Sequence, residues 1–134
     1  MGNCSVRPPI TMRLPCTASS VSVARQKLKS WMSELGGSGE HIEDARLVIS
    51  ELVANSVRHA EPLADGSILV SLAMDDGTID LAVTDGGSGT RPRRLDTSPA
   101  ALAGRGMAIV DALARKWWAE QTPSRSTVHA LLSL

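Results

Sequence analysis

Aromatic residues are almost missing from this sequence of 134 residues, which has three tryptophans and no phenylalanine or tyrosine. A hydrophobic core must therefore consist mainly of Val, Ile, Leu, Ala and Met. With 43% hydrophobic residues, the chain has enough of them for one domain. Net charge is missing too, because 14 Lys and Arg balance 14 Asp and Glu. This balance argues against nucleic acid or an anionic membrane as the main partner.

Long apolar runs are also absent. No segment is long enough to span a bilayer, and no apolar stretch near the start resembles a secretory signal peptide. The only two cysteines, Cys4 and Cys16, could pair, but no other feature indicates secretion. We therefore expect a cytoplasmic protein with reduced cysteines.

The usual phosphate-binding and kinase motifs cannot be found. There is no G-x-x-x-x-G-K-[ST] segment, and the glycine-rich stretch 104–109 lacks the last glycine of G-x-G-x-x-G. Neither an H-R-D catalytic loop nor a D-F-G segment is present. The chain is therefore not an ordinary protein kinase.

The segments that are present predict a small α/β fold. The predicted strands are 10–15, 67–74, 78–84, 117–121 and 127–134. One predicted helix ends near Leu35, and two more span 42–60 and 106–115. Thr17, Ser19 or Ser20 can cap the first helix, and Asp75-Asp76-Gly77 predicts a hairpin.

This order predicts a two-layer α/β (α+β) sandwich, with three helices on one face of a mixed, mostly antiparallel sheet. We expect residues 1–9 to be a flexible tail and residues 10–134 to form the domain.

Segment 42–60 contains the first candidate site. Its apolar residues fall on one helical face, while Glu51 and Asn55 are neighbours on another because they are four residues apart. A carboxylate can orient or deprotonate a nucleophile, and a carboxamide oxygen beside it can hold Mg²⁺. The alternative is a solvated polar face, since polar pairs at this spacing are common.

Asp85 is the second candidate, at the end of a predicted strand and before a glycine-rich segment. Glycines let a backbone approach a ligand closely. A carboxylate repels phosphate, so Asp85 suits an amino group such as that of adenine. A β-turn with a capping Asp is the alternative.

Gly104-Arg105-Gly106, at the start of the helix 106–115, is the third candidate. Helix N-termini offer unpaired N–H groups and the positive end of a dipole, and both attract phosphate. The alternative is a flexible loop with an N-cap glycine.

Taken in order, Glu51-x-x-x-Asn55-x-x-x-His59, Asp85-x-Gly87-x-Gly89 and Gly104-x-Gly106 resemble the N, G1 and G2 boxes of the Bergerat fold. This fold is the ATPase domain shared by gyrase and the histidine kinases. The resemblance covers residues from about 10 to 134. It is closest to the stand-alone bacterial anti-sigma-factor serine kinases, through ELVANSVRHA, VTDGGSG, GRGMAIV and the final Ser126-Thr127-Val128 strand.

The resemblance implies roles by position. Glu51 would activate the attacking hydroxyl or water, Asn55 would bind Mg²⁺, and Asp85 would contact adenine. Residues 90–103 would form a lid over ATP. The other ATP-binding residues would be Gly87, Gly89, Gly104, Arg105, Gly106 and Thr127.

The implied function is an ATP- and Mg²⁺-dependent serine kinase of the anti-sigma type. It would bind a sigma factor and phosphorylate an anti-anti-sigma (STAS-like) antagonist on serine, and a homodimer is compatible with this function. Neither nucleic acid nor a membrane is expected as a partner. Two alternatives stay open: a nucleotide-dependent docking module with negligible transfer, and a weak ATPase.

Overall fold

A computed structural model describes residues 9–87 and 105–134, without the side chains of residues 105 and 106. Apart from Pro9, the predicted tail 1–9 lies outside the described residues. The elements are β1 Ile10–Pro15, α1 Ser19–Glu34, α2 Gly39–His59, β2 Ser67–Asp75, β3 Thr78–Asp85, α3 Arg105–Leu113, β4 Lys116–Thr122 and β5 Arg125–Ser133.

Helix α1 begins differently from the prediction. Its N-cap is Ala18, which makes no side-chain cap hydrogen bond. The hydroxyls of Thr17 and Ser19 bond each other at 2.9 Å, and Ser20 donates to the carbonyl of Pro15 at 2.5 Å. The predicted caps are wrong because these three hydroxyls have other partners.

Local capping residues end α1 and begin α2. Gly36 has a φ of +85°, and its N–H and that of Gly37 bond carbonyls in the last turn of α1. This glycine C-cap ends α1 as predicted. Helix α2 then begins at Gly39, before the predicted start at 42, because Ser38 accepts a hydrogen bond from the His41 N–H at 3.1 Å.

The five strands form one sheet in the order β1-β2-β3-β5-β4, and every pairing among the described residues is antiparallel. The predicted hairpin between β2 and β3 is confirmed. Asp76 and Gly77 both have positive φ, 54° and 82°, as a type I′ turn requires.

The core lies between the sheet and the helices. Alternate strand residues, among them Ile68, Val70, Leu81 and Val83, are buried against the apolar faces of the helices. Helix α2 packs on both α1 and α3 and also contacts β3 and β5. The predicted two-layer sandwich with three helices is confirmed, and α2 is its central helix.

Within the described ranges, no helix is long and apolar enough to cross a membrane.

Candidate functional site

A pocket of about 120 Å³ opens where α2, the end of β3, the start of α3 and the β4–β5 hairpin meet. Of the three predicted clusters, the first contributes Asn55 to this pocket and the second contributes Asp85 and Gly87. Its lining residues are Leu52, Asn55, Ser56, His59, Ala60, Asp85, Gly87, Met107, Ala119, Gln121, Ser126 and Val128.

Asp85 is the last residue of β3 and is only 7% exposed. Its Oδ1 accepts a hydrogen bond from the Gly87 N–H at 2.8 Å, and its Oδ2 accepts one from the Ser56 hydroxyl at 2.5 Å. Burial raises the pKa of the Asp85 carboxyl, and these two hydrogen bonds act in the opposite direction. The pocket thus contains a fixed, buried acceptor.

The chain after Asp85 is tied to the end of α2. The Gly86 N–H bonds the Glu61 carbonyl and the Gly87 carbonyl accepts the Glu61 N–H, both at 2.7 Å. Gly87 has a φ of +89°, which favours glycine. A Cβ on Gly86 would lie 2.2 Å from the Pro62 carbonyl oxygen. Gly86 was not among the predicted site residues, although two consecutive glycines after a strand were a visible signal.

Gly86→Ala is expected to lower the free energy of unfolding by about 1–3 kcal/mol, the usual range for overpacking. The reason is that the new methyl group would meet backbone, which cannot rotate away. Urea denaturation would measure the change.

Gly39→Ala is the matched control, because a Cβ there meets nothing within 4 Å. Equal stability of the two variants would show that the close approach at Gly86 is unimportant.

Asn55, one of the residues that line the pocket, has an unusual side-chain atom. Its Oδ1 is buried and has no hydrogen-bond partner within residues 9–87 and 105–134. A buried acceptor left unpaired costs about 1–3 kcal/mol. A neutral oxygen is also a ligand type that Mg²⁺ accepts. The Asn55 side chain therefore fits a cation or a donor group of a ligand.

Glu51 lies one turn before Asn55 on α2 and is half-buried. It is not among the residues that line the pocket. The structure therefore brings Asn55 and Asp85 together and leaves Glu51 beside them on the helix surface.

The structure does not bring Thr127 to the pocket. Its hydroxyl bonds the hydroxyl of Thr84 at 2.8 Å, and the two residues are paired across β3 and β5. Successive strand residues point to opposite faces. Ser126, the partner of Asp85 in the register, is the β5 residue that lines the pocket beside Val128.

The third predicted cluster is described only in part. Gly89, Gly104 and the predicted lid 90–103 lie outside the described residues. Arg105 and Gly106 are the first two residues of α3, and the next residue, Met107, lines the pocket. The N-terminus of α3 is therefore at the pocket, where its N–H groups can meet an anion.

Three further polar residues in the pocket were missed. Ser56 follows Asn55 on α2, while Ser126 and Gln121 form one row with Asp85 across β3, β5 and β4. Ser126 could have been found, because it shares the alternation of Val128, Ala130 and Leu132 on β5.

Cys16 adjoins this region. The pKa of its thiol is raised by burial first, and then by the negative charges of Asp85 and Glu61. A protonated thiol is a poor nucleophile, so Cys16 is not a catalytic candidate. Cys4 lies outside the described residues.

Comparison with known proteins gives one family. A family model for the "Histidine kinase-like ATPase domain" matches residues 14–131. The serine-protein kinase RsbW of Listeria monocytogenes is 36% identical over 80 residues, 59% of this chain and 51% of that protein. The protein of the same name from Staphylococcus epidermidis is 34% identical over 85 residues, 62% of this chain and 54% of its own length. The chain thus spans about half the length of the curated relatives it matches.

Two solved structures share the fold. The RsbU and RsbW domains of a Mycobacterium tuberculosis protein superpose with a TM-score of 0.74 at 26% identity, covering 96% of this chain and 33% of that one. The SiaB–SiaC complex from Pseudomonas aeruginosa gives a TM-score of 0.67, covering 92% of this chain and 88% of the other. Its 12% identity shows likeness of fold alone.

Proposed function

This chain belongs to the histidine kinase-like ATPase family, and from that membership we propose that it is an ATP- and Mg²⁺-dependent protein serine kinase of the anti-sigma type. The comparisons confirm the resemblance predicted from the three boxes. The relatives' name, serine-protein kinase, supports transfer to a protein serine.

One observation carries the proposal. The same pocket is lined by Asp85, which is buried, and by Asn55, whose buried Oδ1 has no hydrogen-bond partner among the described residues. Asp85 can only accept a hydrogen bond when ionised, which suits the amino group of adenine. Asn55 supplies an oxygen for a hard cation. The N-terminus of α3 lies at the same pocket, where phosphate would be favoured.

The roles follow from these positions. Asp85 would hold the base, Asn55 would hold Mg²⁺, and the first turn of α3 would face the phosphates. Bound Mg²⁺ would offset negative charge on the phosphates. Glu51, on the helix surface beside the pocket, would accept the proton of the partner's serine hydroxyl as that oxygen attacks the terminal phosphorus of ATP. The bond from this phosphorus to the bridging oxygen would break, and ADP would leave.

A sigma factor and a STAS-like antagonist are the partners that the resemblance implies, in a cytoplasmic setting. A homodimer also stays a prediction. Co-purification from the native host, followed by mapping of phosphorylated serines on the recovered proteins, would identify the partners.

One observation favours a second function, nucleotide-dependent docking without transfer. Asn55 and Asp85 line the pocket, whereas Glu51, the proposed base, does not. Binding therefore has more support from the described residues than transfer has.

Asn55→Ala tests the binding site. We expect calorimetry to show that wild-type ATP affinity rises with Mg²⁺ and that the variant loses most of this rise. The loss should be about tenfold or more in affinity with Mg²⁺ present. Without nucleotide, the variant should be at least as stable as the wild type, since the change removes a buried acceptor that no described residue pairs.

Asn55→Asp is the control, because it keeps an oxygen ligand and should keep the Mg²⁺ dependence. Wild-type affinity that is the same with and without Mg²⁺ would contradict the proposed role of Asn55.

A further inference from the structure

We propose that Ser56 is a positioning and specificity residue of the nucleotide site: it donates its hydroxyl proton to Asp85, so that these two side chains have only acceptor atoms left to face the base. Such a surface selects a purine that carries an amino group at position 6, and it rejects one that carries a carbonyl there. This inference rests on the proposed function.

The contact joins two distant parts of the chain. Ser56 and Asp85 are 29 residues apart, the two residues are 6% and 7% exposed, and the Oγ–Oδ2 distance is 2.5 Å. Both residues line the pocket. Serine inside a helix usually donates to the carbonyl four residues before it, but the Ser56 hydroxyl bonds across to the sheet.

Ser50 provides the comparison within the same helix. Its hydroxyl donates to the Arg46 carbonyl at 2.6 Å, the ordinary helical bond. It does not line the pocket. The same helix thus contains one serine with a local bond and one, Ser56, that holds a carboxylate.

The direction of each hydrogen bond follows from the donors available. The Gly87 N–H can only donate, and it occupies Oδ1 of Asp85. An ionised carboxylate can only accept, so the single proton of Ser56 must point to Oδ2. The Ser56 oxygen then has only lone pairs left for a ligand.

Ser56 also affects the protonation of Asp85, whose pKa is raised in the fold. Burial raises the pKa of Asp85, whereas the hydrogen bonds from Ser56 and Gly87 lower it. Both bonds therefore favour the ionised carboxylate, which cannot donate. Loss of the Ser56 bond makes the protonated carboxyl, which can donate to a carbonyl, easier to form.

These acceptors distinguish purines. The amino group of adenine donates to them, while the carbonyl of hypoxanthine or guanine would be a further acceptor facing the same atoms. A site built around one hydrogen-bonding group discriminates strongly against a ligand that cannot match it. We therefore expect the protein to bind ADP much more tightly than IDP.

The test measures the affinities of the full chain for ADP and IDP by calorimetry with Mg²⁺. Ser56→Ala should weaken ADP binding about tenfold and change IDP binding less, so that the ratio of the two dissociation constants shrinks. Ser56→Thr keeps the hydroxyl and should keep the wild-type ratio. Ser50→Ala, the matched control, should leave both affinities unchanged.

Thermal unfolding of the same proteins distinguishes a role of Ser56 in positioning Asp85 from a purely structural role. If Ser56→Ala lowers the melting temperature and leaves the ADP-to-IDP ratio at its wild-type value, Ser56 is only structural and the inference is wrong, while the proposed function stands. If the wild type binds neither nucleotide, the proposed function fails and this inference fails with it.

Discussion

Glu51→Ala is expected to lower phosphorylation of the partner's serine by about 10²–10⁴-fold, the usual contribution of a general base. ATP binding should be largely retained, because Glu51 does not line the pocket that contains Asn55 and Asp85. The measurement uses labelled ATP, Mg²⁺ and the partner recovered with the chain. Label should appear on a serine of the partner and not on this protein.

Glu43→Ala is the matched control on the same helix. Glu43 is 64% exposed on its side chain and pairs with Arg46 at 2.8 Å. Such exposed pairs contribute little, so this variant should transfer phosphate like the wild type.

The result decides between a kinase and a docking module. Complex formation with the partner must be demonstrated first. If the wild type forms an ATP-dependent complex and labels no serine, the kinase proposal is false and docking replaces it. If Glu51→Ala loses ATP binding as well, Glu51 acts on the nucleotide and not on the nucleophile.

The parts of the fold that were predictable depend on local chemistry. The turn at Asp76-Gly77 needs two positive φ angles, and Asp-Gly is a sequence that provides them. Gly36 ends α1 for a similarly local reason. The caps of α1 could not be predicted, because Ser20 bonds the carbonyl of Pro15 and this contact depends on the path of the chain after β1.

The candidate site also has features that local sequence predicts and features that depend on contacts between elements. Asn55 and Asp85 follow from their positions in a helix and at a strand end, and both line the pocket. Thr127 and Ser126 are adjacent in sequence: the alternation of β5 puts Ser126 on the core side, and the register of β5 against β3 then pairs it with Asp85. The bond from Ser56 to Asp85 joins two elements, so no local pattern predicts it.

Asp85→Asn should weaken ATP binding about tenfold or more, because a charge-assisted hydrogen bond contributes about 1.5–3 kcal/mol. The change keeps the shape and replaces one acceptor oxygen by a donor. Calorimetry with Mg-ATP measures the loss. Wild-type affinity in this variant would show that Asp85 does not bind the base.

The same substitution should also change how the free energy of unfolding depends on pH. The pKa of Asp85 in the fold is raised above its ordinary value of 3.8, chiefly by burial. Its contribution to stability is therefore complete below that value and is lost as pH rises through the folded pKa. The asparagine of the variant would not titrate, so the wild type should lose stability relative to Asp85→Asn over this rise in pH.

Asp65→Asn is a control for which we expect stability to depend on pH in the opposite direction. The pKa of Asp65 is lowered from 3.8, first by the hydrogen bond from the Ser67 hydroxyl and then by the Ser67 N–H and Arg13. Its contribution is present above 3.8 and is lost as pH falls through the folded pKa. Urea denaturation from acid to neutral pH would compare both variants with the wild type. If the differences in free energy of unfolding between the wild type and each variant change in the same direction with pH, burial does not determine the pKa of Asp85. If they run in opposite directions and Asp85→Asn binds ATP weakly, the ionised carboxylate is destabilising to the fold and needed for the ligand.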